Sequence, residues 1–183
     1  MINFYSKIFE NINYLLGQTD LIALEKISKS LMSTNKRNKK VIIFGNGGSA
    51  AISSHVSVDL TKNAGIRSIN FNEADLLTCF SNDYGYKKVF SKSLEFYADK
   101  GDVVIIISAS GRSKNLLEAA KICKKKKILL YTLTGMSKSN PLKKLGDINL
   151  WVNSKAYNII ENVHQIWLLS ITDRIIGKTE YLA

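Results

Sequence analysis

Two apolar runs, "VIIF" at 41–44 and "VVIII" at 103–107, constrain this chain more than any other feature. Neither alternates with polar residues, which is the pattern of parallel strands covered on both faces rather than of half-solvated antiparallel ones. Weaker strand signals lie in "RSINF", "KILLYTLTG" and "DINLWVN". Between them run segments with apolar residues at helical spacing, over 49–62, 73–80, 87–98, 113–126 and 158–176, with "SNDYGY" at 81–86 reading as a loop. Strands that alternate with helices imply right-handed crossovers and a parallel sheet wrapped on both sides, with ligands gathered at the carboxyl ends of the strands. Ahead of this unit, Phe4, Ile8, Ile12 and Leu15 form one helical stripe and Leu24, Ile27 and Leu31 a second, joined to the first strand by the basic stretch "STNKRNKK".

At 183 residues, without repeats or linker-like stretches, the chain is expected to fold as one domain over 1–183, with 1–35 as a helical extension. Twenty-six Lys and Arg against fifteen Asp and Glu give a net charge of +11, which favours anionic partners without choosing among them. The basic stretches "CKKKKILL" and "NKRNKK" sit at helix ends or connections and lack stacking aromatics, so nucleic acid is not expected. Cys79 and Cys123 lack CxxC spacing and lie in apolar surroundings, which predicts two buried, reduced thiols and no disulfide. Lys7 and Glu10 interrupt the N-terminal apolar residues, and no run approaches the roughly 18 apolar residues of a membrane span, so a cytoplasmic protein with no membrane partner is expected.

Each strong strand ends in a loop of small residues. After Phe44 comes "GNGGSA", where glycines let the backbone approach a ligand and the next helix presents its N–H groups to an anion. It has neither the GxxxxGK[ST] nor the GxGxxG spacing, which disfavours a nucleotide. After Ile107 comes "SASGRSKN", whose Ser108, Ser110 and Ser113 cluster around Gly111 where a helix starts, so that hydroxyls and backbone donors can converge on a phosphate. The alternative is that Ser110 and Ser113 only cap that helix.

"GNGGS" followed by "SASGRSKN" resembles the sugar isomerase (SIS) domain superfamily, and almost the whole chain resembles its phosphoheptose isomerase branch. "SNDYGY", "TLTG" and "ENVH" on the last helix add to the match. The resemblance implies a flavodoxin-like three-layer α/β sandwich with a five-stranded parallel sheet, preceded by two helices that pack in a homotetramer with sites at subunit boundaries. It implies a phosphorylated sugar held by Ser49, Ser108, Ala109, Ser110 and Ser113, with Asn46, Gly47 and Asp83 on the sugar chain. The implied reaction is aldose–ketose isomerisation of sedoheptulose 7-phosphate, feeding lipopolysaccharide or capsule synthesis.

Such a reaction moves a proton between adjacent carbons through an enediol, and needs a base at carbon with an acid or metal at the oxygens. His55 and Asp59, four apart, share one helix face; Glu161 and His164 lie three apart on the last helix. The family associates a His and a Glu on the first of these helices, and a Gln with a later His on the last, with zinc and proton transfer. Here those positions hold His55, Asp59, Glu161 and Leu169. His164 cannot replace the missing imidazole, being roughly 140° around the helix from Leu169. The expected catalytic set is Glu161, His55 and Asp59, with the same three residues as the candidate zinc ligands. The alternative is a chain that keeps its phosphate loops but has lost the chemistry, a sugar-phosphate-sensing or protein-binding module.

Overall fold

The computed structural model describes residues 2–181, so Met1, Leu182 and Ala183 of the expected 1–183 domain lie outside the described residues. Five parallel strands form one sheet in the order β2 (Ser68–Ile69), β1 (Val41–Gly45), β3 (Val103–Ser108), β4 (Leu129–Thr134) and β5 (Ile148–Trp151). This is the flavodoxin-like order, with the chain reversing its direction of travel across the sheet between β1 and β3. Every side chain of β1 and β3 is buried, because helices cover both faces. One face packs under α1 (Ile2–Gly17), α2 (Leu21–Lys36), α3 (Gly48–Lys62) and α7 (Tyr157–Ile176), with Ile43, Ile105, Leu133 and Trp167 in its core. The other packs under α4 (Ala74–Tyr84), α5 (Val89–Tyr97) and α6 (Lys114–Lys126), around Ile42, Phe44, Phe90 and Leu130.

The two faces fix the strand ends that matter. Phe44 stacks on Phe90 with ring centroids 4.8 Å apart and lies 5.5 Å from Phe71, anchoring the last apolar position before the first loop. Full burial of such a ring is worth about 1.5–3 kcal/mol relative to exposure, so β1 is held firmly up to the loop. Phe44 pairs with Ile106 and Gly45 with Ile107, which brings β1 and β3 to the same level and sets their loops side by side. Helices α1 and α2 dock on α7. Trp167 Nε1 donates to Thr19 Oγ1 at 2.7 Å, and Arg174 reaches both carboxylate oxygens of Glu25 at 3.0 Å.

Three details differ from the sequence reading. Helix α4 runs through "SNDY" to Tyr84, so most of the expected loop is helical, and the helix stops at Gly85 with φ +76°. Leu76, Leu77 and Phe80 pack against the second core and carry the helix across its polar end. The expected 87–98 helix is a single 3₁₀ turn, Tyr86–Lys88, followed by α5. Cys123 is buried as expected, but Cys79 is exposed, on a helix none of whose residues is fully buried.

Candidate active site

The first loop turns at Gly47, whose φ of +55° and open surroundings suit glycine, and enters α3 with no side-chain cap. Ser49 is buried in the first turn, and its N–H donates to the Asn46 carbonyl at 3.1 Å. The side chain of Asn46 crosses to the second loop. It donates to Asn115 Oδ1 and accepts from Asn115 Nδ2, both at 3.0 Å, and accepts from the Tyr86 hydroxyl at 3.0 Å. Asn115 is buried and sits in the first turn of α6, so this reciprocal amide pair locks the two loops together.

In the second loop the N–H of Gly111 donates to Ser108 Oγ at 3.1 Å, and the N–H of Arg112 to Ser110 Oγ at 3.3 Å. Gly111 has φ +62°, and a Cβ there would strike the Asn140 side chain. Asn140 belongs to the segment after β4 that braces this loop: Leu142 donates its N–H to the Gly111 carbonyl at 3.1 Å. Ser113 occupies the N-cap position of α6, yet its side chain makes no capping bond. Its hydroxyl is therefore not spent on capping and adds to the donors at the positive end of that helix.

Asn46, Ser49, Ser108, Ala109, Ser110 and Ser113 line one cleft of about 110 Å³ between these loops. A wider cleft of about 380 Å³ adjoins it between α3 and α7, lined by Gly48, His55 and Gln165 among others. Glu161 lines both. The loops thus form a small anion cradle that opens past a carboxylate into a larger space. Of the expected substrate residues, Gly47 forms the turn without lining the cradle, and Asp83 lies elsewhere. It is exposed in the last turn of α4, where Cys79 Sγ donates to it at 3.7 Å and Asn82 Nδ2 at 3.0 Å.

Glu161 is partly buried, and its carboxylate takes no hydrogen bond or ion pair among the described residues. His55 Nε2 lies 3.3 Å from Asp59 Oδ2, the imidazole half exposed and the carboxylate largely covered. The expected metal set is only partly assembled. His55 and Asp59 meet, Glu161 lines the same wider cleft as His55, and no three of His, Cys, Asp and Glu gather closely enough to hold a metal among the described residues. His164 points away from the cleft. It is fully buried beneath β4, with Nε2 on the Thr134 carbonyl at 3.1 Å, and burial pushes its imidazole down to about 4 against the opposing effect of that hydrogen bond.

Four residues at the site escape the sequence reading. Asn115 and Tyr86 fix Asn46, Tyr157 lines the cradle from the start of α7, and Gln165 Nε2 reaches His55 Nδ1 at 3.4 Å. Only Gln165 carried a signal, since it lies four residues beyond Glu161 and so shares its helix face.

A sheet of this order with paired serine and glycine loops at its switch point is an α/β domain with an anion-binding crevice, and a family profile described as "SIS domain" matches residues 5–135. Within that class the chain belongs to the phosphoheptose isomerase family. It is 35% identical over 158 residues to the phosphoheptose isomerase of Cytophaga hutchinsonii, covering 83% of this chain and 82% of that one. It is 37% identical over 147 residues to that of Aliarcobacter butzleri, covering 77% of each. The solved phosphoheptose isomerase of Francisella tularensis superposes with a TM-score of 0.88 over 97% of both chains at 24% identity, a likeness of fold.

Proposed function

We propose that this chain isomerises sedoheptulose 7-phosphate to D-glycero-D-manno-heptose 7-phosphate through an enediol. The observation that carries this reading is Glu161, a carboxylate common to both clefts with no partner of its own among the described residues. The phosphate sits among Ser49, Ser110 and Ser113 at the N-termini of α3 and α6, where hydroxyls and oriented N–H groups compensate its charge. The cradle is too small for the sugar as well, so the carbon chain extends past Gly48 into the wider cleft.

There Glu161 takes a proton from C1 of the ketose, the electron pair forms the C1–C2 double bond, and the carbonyl oxygen at C2 gains a proton. Glu161 then returns the carbon proton to C2 while the C1 hydroxyl loses its own, giving the aldehyde. His55, tied to Asp59, is the polar group that faces the oxygens in this step. The relatives' names support an enzyme over a phosphate-sensing module, the reading that Leu169 would otherwise favour. The proposal extends to a homotetramer in the cytoplasm that supplies lipopolysaccharide or capsule synthesis. Incubation of the purified protein with sedoheptulose 7-phosphate in deuterium oxide tests it: deuterium at C2 of a newly formed aldose phosphate is the expected product, and an unchanged, unlabelled ketose would refute the reading.

A further inference from the structure

Gly135, which closes "TLTG" at the end of β4, lines neither cleft, yet it touches the parts that form them on both sides. Its N–H donates to the carbonyl of Ala109 at 3.0 Å, so it is bonded to the backbone of the anion cradle. Its Cα faces α7: a Cβ at this position would lie 2.6 Å from Ile160 Cδ1 and 2.9 Å from Ile160 Cγ1 and Cγ2. Carbon atoms in contact keep about 3.5–4.0 Å, so Ile160 fills the space that any larger residue at 135 would need. The next residue is Glu161, whose carboxylate presses on Gly48 of the first loop in the same manner. Two consecutive residues of α7 are thus seated on glycines from two different strand ends. Met136 ties the same segment to the approach to α7, its N–H donating to the Ser154 carbonyl at 2.9 Å.

We propose that Gly135 is a positioning residue that couples the anion cradle to Glu161: lacking a side chain, it lets α7 settle against the end of β4, and this sets the reach from the cradle to the carboxylate. Ile160 cannot yield to a larger neighbour by turning aside, since it is fully buried in the core and its branched Cβ leaves essentially one χ1 rotamer in a helix. The position needs glycine for space and not for backbone conformation, because Gly135, unlike Gly47 and Gly111, has no positive φ. A methyl group at 135 is therefore felt as a displacement of α7 at Glu161. The consequence for turnover rests on the isomerase reading, whereas the displacement does not.

Gly135→Ala tests this. A shift of about 1 Å in α7 is expected to lower kcat on sedoheptulose 7-phosphate on the order of a hundredfold. KM and the affinity for inorganic phosphate stay within about threefold, because the donors of the cradle are untouched. Ile160→Ala removes every side-chain atom that the new methyl would strike, so Gly135→Ala combined with Ile160→Ala recovers most of the lost kcat. Gly135→Ala combined with Ile160→Val removes only Cδ1 and lies between, an order that still decides the matter where Gly135→Ala alone does not fold. Amide proton–nitrogen spectra give a readout without turnover. The signal of Gly48, which sits on another strand end and touches Glu161, moves in Gly135→Ala and returns when Ile160→Ala is added, while the signals of Ser110 and Ser113 change little. An unchanged kcat, a loss that Ile160→Ala does not relieve, an equal loss of phosphate affinity, or a Gly48 signal that stays in place would overturn the assignment. A folded wild type that turns over no ketose phosphate would instead refute the isomerase reading, with the Gly48 signal still deciding the role of Gly135.

Discussion

The carboxylate of Glu161 rests directly against the backbone of Gly48, so closely that a Cβ at position 48 would lie 2.7 Å from Glu161 Cδ. The glycine of the first loop therefore admits the last helix's carboxylate to the point where the two clefts join. Gly48→Ala is expected to displace that carboxylate and lower kcat on the order of a hundredfold, since a shift of about 1 Å in a reacting group costs that much. Steady-state kinetics with sedoheptulose 7-phosphate checks this, and an unchanged kcat would mean that Glu161 works from elsewhere.

The serine loop is expected to set affinity and not chemistry. Ser110→Ala with Ser113→Ala removes two donors from the phosphate, each hydrogen bond to a charged group being worth about 1.5–3 kcal/mol. Calorimetric titration with a sugar phosphate should show at least about tenfold weaker binding. Undiminished affinity would show that the phosphate lies outside this cradle.

What the sequence disclosed, and what it withheld, follows from how far each interaction reaches along the chain. The parallel sheet and its glycine and serine loops are local signals: apolar runs such as "VIIF" end in residues too small to be structural filler. The polar "SNDY" read as a loop because its residues favour turns, whereas Leu76, Leu77 and Phe80 commit the segment to a helix through a core contact. Cys79 was misjudged on the same helix, for apolar neighbours in sequence do not say which side of a helix a residue takes. The pairs Asn46–Asn115 and His55–Gln165 join residues 69 and 110 positions apart, and nothing in local composition announces them. Asp83 was carried over from the family, and within one chain it remains apart from the cradle.

His164 gives the protein a pH dependence of stability. Its imidazole titrates at about 4 in the folded chain against an ordinary 6.5, so the unfolded chain binds the extra proton between those values and stability falls as pH drops through that window. Between pH 7 and pH 5 the loss from this group is about 2 kcal/mol. Urea denaturation at the two pH values measures it, and His164→Gln should remove most of the difference. An equal pH dependence in that variant would assign the effect to other groups.

The first helix leaves Phe4, Tyr5, Phe9 and Tyr14 exposed, and Leu21 and Ile22 at the start of α2 are about 70% exposed. Apolar surface of this extent is ordinarily covered by another copy. Light scattering is expected to return about four times the 20.5 kDa chain mass. A mass of one chain at micromolar concentration would contradict the tetramer.

The assignment of Glu161 as the base that moves the carbon proton is tested most directly by solvent deuterium exchange into a bound ketose phosphate, compared between wild type and Glu161→Gln. The amide keeps the shape of the side chain and loses the base, so exchange should fall at least about a thousandfold while affinity for the sugar phosphate stays within a few-fold. Exchange at the wild-type rate in Glu161→Gln would contradict the account.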